Sequence, residues 1–333
     1  MKGVPINLNF SFLLKNFNLM EGIVVKVTGS WHDVRLGEGT IVSCRIIGKL
    51  RMEDIKTTNP VGVGDHVAIE MEGNEGKGII TEILPRKNYI VRQSPRKKHD
   101  LHLIAANIDQ AVLVTTVIQP MLKLGFIDRF LLMTEPHNIP VTIVINKSDL
   151  FGEEENEIFG GLKIMYEDIG YQVISCSSHN GDGIETLRKL LSGKTTLVAG
   201  QSGVGKSTLI NSIQPGLGLK TEEISDYSGK GQHTTTFAEM FKLSFGGYII
   251  DTPGIKMLSY NNLEPLDVAH NFREFFELSS DCRFPNCLHK EEPGCAVRKA
   301  VDDGRVSPLR YEHYLQIMSE VEDQNYWERH KNM

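Results

Sequence analysis

The amino-acid sequence predicts a multidomain α/β protein with three parts: a small β-barrel, an α/β domain and a helical C-terminal region. Short β-rich runs separated by glycines occupy residues 20–84. Apolar strands then alternate with amphipathic helices to residue 264, and residues 265–333 are helical and charged. With 333 residues and 40% hydrophobic content, the chain can bury more than one core.

The first part contains five runs typical of short strands. They cover residues 22–27, 31–36, 40–47, 66–71 and 78–84. Five such strands in about sixty-five residues favour an OB-type barrel, and a small β-sandwich is the alternative. Residues 1–19 contain an apolar run but lack the charged start and cleavage site of a secretory signal. We expect this polar-interrupted segment to form a flexible extension, and the alternative is that Met20 is the functional start.

A basic stretch, residues 85–99, follows the barrel. It contains six Lys or Arg and no Asp or Glu. Such a run is typical of a solvated, mobile connector. The alternative is that it contacts RNA phosphates, for which Arg96, Lys97 and Lys98 are the candidates.

The α/β domain, residues 100–264, alternates the two kinds of element. Strands are predicted at 110–117, 141–145, 172–175, 195–199, 237–245 and 248–250. Helices are predicted at 125–135, 158–169, 183–191 and from Lys206 onward. This alternation predicts a mainly parallel sheet covered on both faces.

A phosphate-binding loop lies between an apolar strand and a helix. The pattern G-x-x-x-x-G-K-[ST] is matched by Gly200, Gln201, Ser202, Gly203, Val204, Gly205, Lys206 and Ser207. In this pattern, backbone N–H groups and the helix N-terminus bind phosphate oxygens. We expect Lys206 to reach the β- and γ-phosphates and the Ser207 hydroxyl to bind Mg²⁺, with Thr208 beside it.

Two later segments complete a phosphate site. Asp251 ends an apolar strand in the run D-T-P-G, so we expect it near the metal, with the N–H of Gly254 near the γ-phosphate. The run GKGQHTTT, residues 229–236, suits a loop that orders when a threonine reaches Mg²⁺. Thr235 is the first candidate for that ligand and Thr234 the second.

A guanine-reading pattern occurs earlier in the chain. Asn146, Lys147 and Asp149 follow an apolar strand, and Ser177 and Ser178 begin a second polar loop. A carboxylate at Asp149 can accept hydrogen bonds from two guanine donors that adenine does not present together. Ordinary GTPases place the phosphate loop first and the base loops last. The order here is reversed, which predicts a circularly permuted GTPase domain.

The hydrolytic group is not obvious, because Ile255 stands where many GTPases carry a water-positioning glutamine. An apolar side chain cannot orient water, so we expect slow intrinsic turnover, on the order of 10⁻⁴–10⁻² s⁻¹. The candidate substitute is His233, whose imidazole can hydrogen-bond the attacking water. The alternative is that His233 packs in the fold or contacts RNA.

A candidate zinc site lies in the C-terminal region. Cys282, Cys287, His289 and Cys295 have the number and type of ligands of a closed structural zinc site. The alternative is a set of reduced cysteines without metal. The total of five cysteines is odd, which argues against a disulfide framework and favours the cytoplasm.

The charge distribution limits how RNA could be bound. The net charge is −6, and residues 20–84 hold seven Lys or Arg against ten Asp or Glu. Contacts from the barrel must therefore be local. The candidates are Arg45, Lys49, Arg51 and Lys56. No run approaches the length of a membrane span.

As a set, GQSGVGKST, GQHTTT, DTPG, NKSD and CRFPNCLHKEEPGCAV resemble the circularly permuted ribosome-assembly GTPases, the RsgA (YjeQ/YloQ) family, from Met20 onward. The resemblance implies an OB-fold, a permuted GTPase domain and a zinc domain. It also implies docking on the small ribosomal subunit and its rRNA late in maturation, with hydrolysis stimulated by the subunit. We therefore expect a cytoplasmic, monomeric GTP hydrolase that uses GTP/GDP, Mg²⁺ and one structural Zn²⁺. The alternative is an RNA-docking scaffold in which GTP is mainly a conformational ligand.

Overall fold

The computed structural model describes residues 19–48, 59–73, 76–93, 101–219, 238–252 and 263–329. Its first five strands are β1 (Leu19–Thr28), β2 (Trp31–Leu36), β3 (Ile41–Ile46), β4 (His66–Glu72) and β5 (Lys77–Ile83). They pair in the order β1-β2-β3-β5-β4, and β4 returns to β1. The predicted OB-type barrel is thereby confirmed, and the sandwich is excluded. Its interior is apolar because alternate strand residues, such as Val24, Val34 and Ile80, point inward.

The basic stretch after the barrel is not wholly a connector. β6 (Tyr89–Gln93) pairs antiparallel with β7 (Leu101–Ala106). Arg86 is buried and donates from Nε and Nη2 to Asp65, at 2.6 and 2.7 Å. The stretch is therefore not a mobile connector throughout, because residues 89–93 form a strand and the Arg86 side chain is buried. The run of charge concealed the apolar Ile90, which is 1% exposed and belongs to a large core.

The α/β domain contains a largely parallel sheet. Its strands are β8 (Gln110–Thr116), β9 (Val141–Asn146), β10 (Gln172–Ser175), β11 (Thr195–Gly200), β12 (Glu239–Lys242) and β13 (Tyr248–Asp251). They lie in the order β10-β9-β8-β11-β13-β12, and β12 is antiparallel to β13. Successive residues of β8 enter different apolar clusters, Leu113 in one and Val114 in the other, so both faces are covered as predicted.

Four helices of this domain lie close to their predicted positions. They are α1 (Leu124–Thr134), α2 (Glu153–Glu167), α3 (Ile184–Leu191) and α4 (Lys206–Ile213). The start of α2 lies five residues before the predicted Ile158. Its first turn holds Glu153, Glu154 and Glu155, which favour a helix N-terminus electrostatically but give no apolar periodicity.

The barrel and the α/β domain share one sheet, which the sequence did not predict. Residues Lys26 of β1 and Glu239 of β12 are directly paired, and the described part of this sheet contains eleven strands. Val25 of β1 packs in the same apolar cluster as Met240 and Ile250. The barrel is therefore attached by backbone pairing as well as by side-chain packing.

The C-terminal region is helical, as predicted. Its helices are α5 (Pro265–His270), α6 (Arg273–Ser279), α7 (Ala296–Asp302) and α8 (Pro308–Arg329). Their core centres on Phe272, Phe275 and Tyr314 and includes Leu132 from α1, so this region packs directly on the α/β domain. Within the described ranges, no helix is both long and apolar enough to span a bilayer.

Candidate functional site

The phosphate loop joins β11 to α4 and has no room for side chains at two glycines. Gly200 has a φ of +153°, and a Cβ there would lie 2.2 Å from the Val114 carbonyl oxygen. Gly205 has a φ of +87°, and its Cβ would lie 2.6 Å from Asn146 Nδ2. The glycines of the pattern therefore let the loop turn tightly against the neighbouring β8 and β9 strands.

Lys206 is held over this loop. Its Nζ donates to the carbonyl oxygens of Gly200 at 2.7 Å and Gln201 at 2.8 Å. Ser207 and Thr208 follow in the first turn of α4, where N–H groups and the helix dipole favour an anion. An ammonium, backbone N–H groups and a hydroxyl are thus gathered where a nucleotide phosphate would bind.

Asp251 lies beside the phosphate loop, at the end of β13. It is paired with Val198 of β11, and the next residue, Thr252, donates from Oγ1 to the Val198 carbonyl oxygen at 3.1 Å. Burial raises the pKa of Asp251, Lys206 opposes the rise, and Glu239 adds to it. A half-buried carboxylate in this position is suited to face a divalent cation, which would favour its charged form.

The base loop after β9 is tied directly to the phosphate loop. Asn146 donates from Nδ2 to the Val204 carbonyl oxygen at 2.8 Å. Lys147 has a φ of +65°, and its Nζ donates to the carbonyl oxygens of Gly203, at 2.9 Å, and Gln119. Two loops separated by more than fifty residues therefore form one site, although the base loop precedes the phosphate loop in the chain.

The second base loop is tied to the first through Ser177. Its Oγ donates to Asp149 Oδ1 at 2.5 Å and accepts the backbone N–H of His179 at 3.1 Å. The backbone N–H of Ser148 donates to the Cys176 carbonyl oxygen at 3.0 Å. These bonds fix Asp149 at the rim of the site, and Ser178 lies in the same loop. The sequence did not predict that the Gln119 carbonyl oxygen accepts a bond from Lys147, because no residue near Gln119 in the chain signals this contact.

Several predicted residues fall outside the described ranges. They are Lys49, Arg51, Lys56, Arg96, Lys97, Lys98, His233, Thr234, Thr235 and Gly254. Their roles stay predictions. Arg45 is described: it is exposed, and its guanidinium lies 4.2 Å from the centre of the Trp31 ring.

The three cysteines and the histidine of the C-terminal region converge. The ligand atoms of Cys282, Cys287, His289 and Cys295 all lie within 4.8 Å of one another. Cys282 Sγ and Cys295 Sγ lie 3.6 and 3.4 Å from His289 Nδ1. Residues spread over the loop between α6 and α7 therefore form one compact donor set.

The chemistry of this donor set fits zinc. Burial lowers the pKa of His289, which keeps the imidazole in the neutral form that binds metals. Burial also raises the pKa of Cys287 to about 12, a penalty on the thiolate that a bound cation would reverse. Backbone N–H groups of Ala296 and Arg298 lie 3.3 and 3.4 Å from Cys282 Sγ and Cys295 Sγ, an arrangement that stabilises thiolates.

Residues not identified from the sequence hold the ligand loop in place. The Glu292 carboxylate accepts the N–H groups of Leu288 at 2.7 Å and Lys290 at 2.8 Å. The hydroxyls of Tyr311 and Tyr314, both on α8, donate to the carbonyl oxygens of His289 and Leu288. An acidic residue between metal ligands is the sequence signal that could have marked Glu292.

Family models match most of the chain. A model described as RsgA GTPase matches residues 83–261, and one described as RsgA N-terminal domain matches residues 21–80. The first alone spans more than half of the sequence.

Individual relatives agree with these models. A protein of Bacteroides fragilis named small ribosomal subunit biogenesis GTPase RsgA is 47% identical over 307 residues, covering 92% of this chain and 99% of its own. A protein of the same name from Flavobacterium psychrophilum is 46% identical over 311 residues, covering 92% of this chain and 94% of its own.

Solved structures show the same fold. The crystal structure of YjeQ from Thermotoga maritima is 35% identical, with a TM-score of 0.73, and covers 91% of this chain and 98% of its own. The structure of YloQ, described as a circularly permuted GTPase, is 32% identical, with a TM-score of 0.69, and covers 92% of this chain and 96% of its own. The order of the loops, the geometry of the nucleotide site and these matches together place the chain in the RsgA GTPase family.

Proposed function

We propose that this protein hydrolyses GTP to GDP and phosphate as a timer in late maturation of the small ribosomal subunit, which stimulates the reaction. The observation that carries the proposal is the bond from Asn146 Nδ2 to the Val204 carbonyl oxygen, because it joins the base loop to the phosphate loop. The relatives' printed name supplies the ribosomal context.

In this proposal, different described residues bind different parts of GTP. Asp149 accepts the two guanine donors, and the loop of Ser177 and Ser178 offers backbone N–H groups to the guanine oxygen. Lys206 binds the β- and γ-phosphates, and Ser207 binds Mg²⁺. The bonds from Asn146 and Lys147 to the phosphate loop, and from Ser177 to Asp149, support this division of roles.

For the hydrolytic step we retain the assignments made from sequence. Thr235 completes the Mg²⁺ site, Gly254 contacts the γ-phosphate, and His233 orients the attacking water in place of the glutamine that Ile255 replaces. Lys206 stabilises the charge that develops on the transferred phosphoryl group. Without the ribosomal subunit the rate is low, because the protein lacks the usual water-positioning residue.

The proposed partner is rRNA of the small subunit, contacted in part by the barrel. Arg45 stacked over Trp31 forms a cationic and aromatic surface on which a base can stack. Beside it is a cavity of about 380 Å³ lined in part by Ser30, His32 and Asn59. The further basic candidates are Lys49, Arg51, Lys56, Arg96, Lys97 and Lys98. We propose that the protein acts as a cytoplasmic monomer with one zinc ion in the C-terminal region.

The alternative, an RNA scaffold for which GTP is mainly a ligand, is less favoured. The match of residues 83–261 is to a GTPase model, and the described site holds the lysine and the hydroxyl that phosphoryl transfer requires.

The test of the function is phosphate release with and without purified small subunits. We expect slow release alone and strong stimulation by the subunits. His233→Ala should bind GTP and the subunit normally but lose most of the stimulated rate, because only water positioning is removed. Stimulated release by the variant equal to that of the wild type would assign the catalytic group to the ribosome. If the subunits do not stimulate phosphate release by the wild type, the alternative function as an RNA scaffold would be favoured.

Guanine recognition has its own test. Asp149→Asn presents a donor and an acceptor to a base edge with two donors, so GTP affinity should fall severely while XTP affinity rises. Both nucleotides can be titrated against the same preparation. The matched control is Asp182→Asn, which changes an exposed carboxylate in the neighbouring loop and should leave the preference for GTP intact. Unchanged GTP affinity in Asp149→Asn would contradict the assignment.

A further inference from the structure

The loop between β8 and α1, residues 117–123, begins beside the nucleotide site. It leaves the carboxyl end of β8, where Val114 is paired with Gly200 of the phosphate loop and Thr116 with Asn146 of the base loop. Ligands of parallel α/β sheets bind at this end of the strands. The β8–α1 loop therefore starts between the two loops to which we assign GTP binding.

The β8–α1 loop lies close to both of these loops. The Gln119 carbonyl oxygen accepts a bond from Lys147 Nζ, which also donates to the Gly203 carbonyl oxygen at 2.9 Å. A Cβ on Gly203 would lie 3.8 Å from Pro120 Cδ, so Pro120 is a close neighbour of the phosphate loop. Lys147 is thus held by two loops rather than by the phosphate loop alone.

The second acceptor matters because the Lys147 ammonium is partly withdrawn from water. Burial lowers the pKa of Lys147, and Asp149 opposes that shift. An ammonium that loses water needs other hydrogen-bond acceptors in its place. The carbonyl oxygens of Gly203 and Gln119 supply them. Two fixed acceptors restrict the ammonium to one position, and the apolar stem of Lys147 can then pack on the base that Asp149 binds.

One buried hydroxyl fixes the part of the loop that carries the second acceptor. Thr116 is 1% exposed, and its Oγ1 donates to the Pro120 carbonyl oxygen at 2.8 Å. Gln119 has a φ of +55°, a left-handed conformation that a residue other than glycine keeps only when its surroundings hold it there. The Leu122 N–H also donates to the Val117 carbonyl oxygen at 3.1 Å. Loss of the Thr116 hydroxyl should therefore loosen the segment that presents the Gln119 carbonyl oxygen.

We propose that Thr116 is a positioning residue for guanine nucleotides, because its hydroxyl fixes the β8–α1 loop and that loop fixes Lys147. The effect passes through two carbonyl oxygens. Thr116 binds that of Pro120, and Lys147 binds that of Gln119. The inference rests on the proposed function, because it concerns the affinity for the guanine nucleotide.

The test is a titration of the full chain with GDP that carries a fluorescent group on the ribose. Thr116→Val removes the hydroxyl and keeps the shape of the side chain, so the Kd for GDP should rise at least about threefold, the effect of one lost hydrogen bond. The fraction of chains that bind GDP should not change, whereas a folding defect would lower that fraction and leave the Kd of the remaining chains unaltered. Thr116→Ser keeps the hydroxyl and should restore most of the affinity.

The matched control is Thr134→Val, at the end of α1 away from the β8–α1 loop. Thr134 is also fully buried, and its Oγ1 donates to the Leu131 carbonyl oxygen at 2.8 Å. This variant therefore loses a bond of the same kind and length as Thr116→Val. Its Kd for GDP should stay within about twofold of the wild type, because the bond does not hold a nucleotide loop.

A double variant tests whether Lys147 carries the effect. Lys147→Met alone should weaken GDP binding, because it removes the ammonium that the two carbonyl oxygens bind. Thr116→Val/Lys147→Met should bind GDP as weakly as Lys147→Met and no more weakly, because residues that act through one interaction are not additive.

The outcomes separate the inference from the function. A wild type that does not bind GDP would contradict the proposed function, whereas the ratio of variant to wild-type Kd tests the role of Thr116. An unchanged Kd in Thr116→Val overturns the inference, as does an equal rise in Thr134→Val. Additive losses in the double variant also overturn it, because Thr116 would then act without Lys147.

Discussion

The barrel and the C-terminal region both pack on the GTPase domain, but through different interactions. On the barrel side, β1 joins the sheet, and Val25 enters the apolar core that contains Met240. On the C-terminal side, charges are buried between α1 and α8. Arg310 donates to Asp128 and, through Nε and Nη2, to both carboxylate oxygens of Glu274.

The balance of buried charge also differs. Beside the barrel, Arg86 pairs with Asp65, one cation with one anion. At the C-terminal junction Arg310 faces two carboxylates, and His313 and the Tyr166 hydroxyl also bond Asp128. A buried charge is costly once its partner is lost. Removal of a cation or a fall in pH should therefore destabilise the C-terminal region more than the barrel. Loss of apolar contacts should destabilise the barrel more than the C-terminal region.

The largest expected effect is loss of the metal. Structural zinc contributes about 10–16 kcal/mol in small zinc peptides. Chelation should therefore unfold the C-terminal region and leave the barrel junction folded. The reduced protein should contain one zinc per chain by elemental analysis, and protein without zinc would refute the metal site.

The two tryptophans of the chain can report on the two regions separately. Trp31 lies in β2 and Trp327 in α8. In Trp31→Phe, the remaining tryptophan should report unfolding on addition of chelator. In Trp327→Phe, the signal of Trp31 should not change. Simultaneous unfolding of both regions would contradict the distinction between the junctions.

The next effect is that of Arg310→Met, which leaves Asp128 and Glu274 buried without their cation. We expect a loss of about 4–5 kcal/mol in the unfolding free energy of the C-terminal region, at the upper end for a broken buried pair. Denaturant unfolding followed through Trp327 measures it. The double variant Arg310→Met/Glu274→Gln should recover part of the loss, because one unpaired charge is removed.

The control at the same junction is Arg129→Met. Arg129 of α1 pairs with Glu320 of α8, and the two side chains are 25% and 45% exposed. Solvent screens such a pair, so its removal should cost less than about 1 kcal/mol. Equal losses of unfolding free energy in Arg129→Met and Arg310→Met would show that burial of the charges does not determine how much each ion pair stabilises the junction.

Arg86→Met should have a smaller effect than Arg310→Met, because it leaves a single carboxylate. Asp65 also accepts the Gly62 N–H at 2.8 Å, which partly compensates the loss. We expect a loss of about 3 kcal/mol from the barrel, measured through Trp31. A larger loss than in Arg310→Met would reverse the proposed order of the two junctions.

The sequence predicted the structural features whose signal lies within a few neighbouring residues, and it did not predict contacts between residues far apart in the chain. The barrel strands and both nucleotide loops follow from alternation, glycines and short motifs within a few residues. The pairing of Lys26 with Glu239 has no such local signal, because it joins a partly exposed lysine to a strand that is distant in the chain. Arg310 and Asp128 are 182 residues apart and read as ordinary surface charges on helices. Arg86 stood in a basic run, which concealed its burial.

The smallest expected effect is the acid sensitivity of the C-terminal junction. Burial alone would raise the pKa of Asp128, but the Arg310 guanidinium and the bonds from His313 and Tyr166 outweigh it, so the pKa is lowered. A carboxylate whose pKa is lower in the folded than in the unfolded state stabilises the fold above its unfolded value, about 3.9. That contribution is lost as the pH falls through the folded pKa.

The measurement is the difference in unfolding free energy between the wild type and Asp128→Asn as a function of pH. The difference should be constant above about pH 5 and shrink below about pH 4, because the unfolded carboxylate takes up its proton first. The matched control is Asp109→Asn, since Asp109 is half exposed and pairs with Lys87 at the barrel junction. Its difference should vary less with pH. A difference for Asp128→Asn that stays constant down to pH 3 would show that its charge does not hold the junction together.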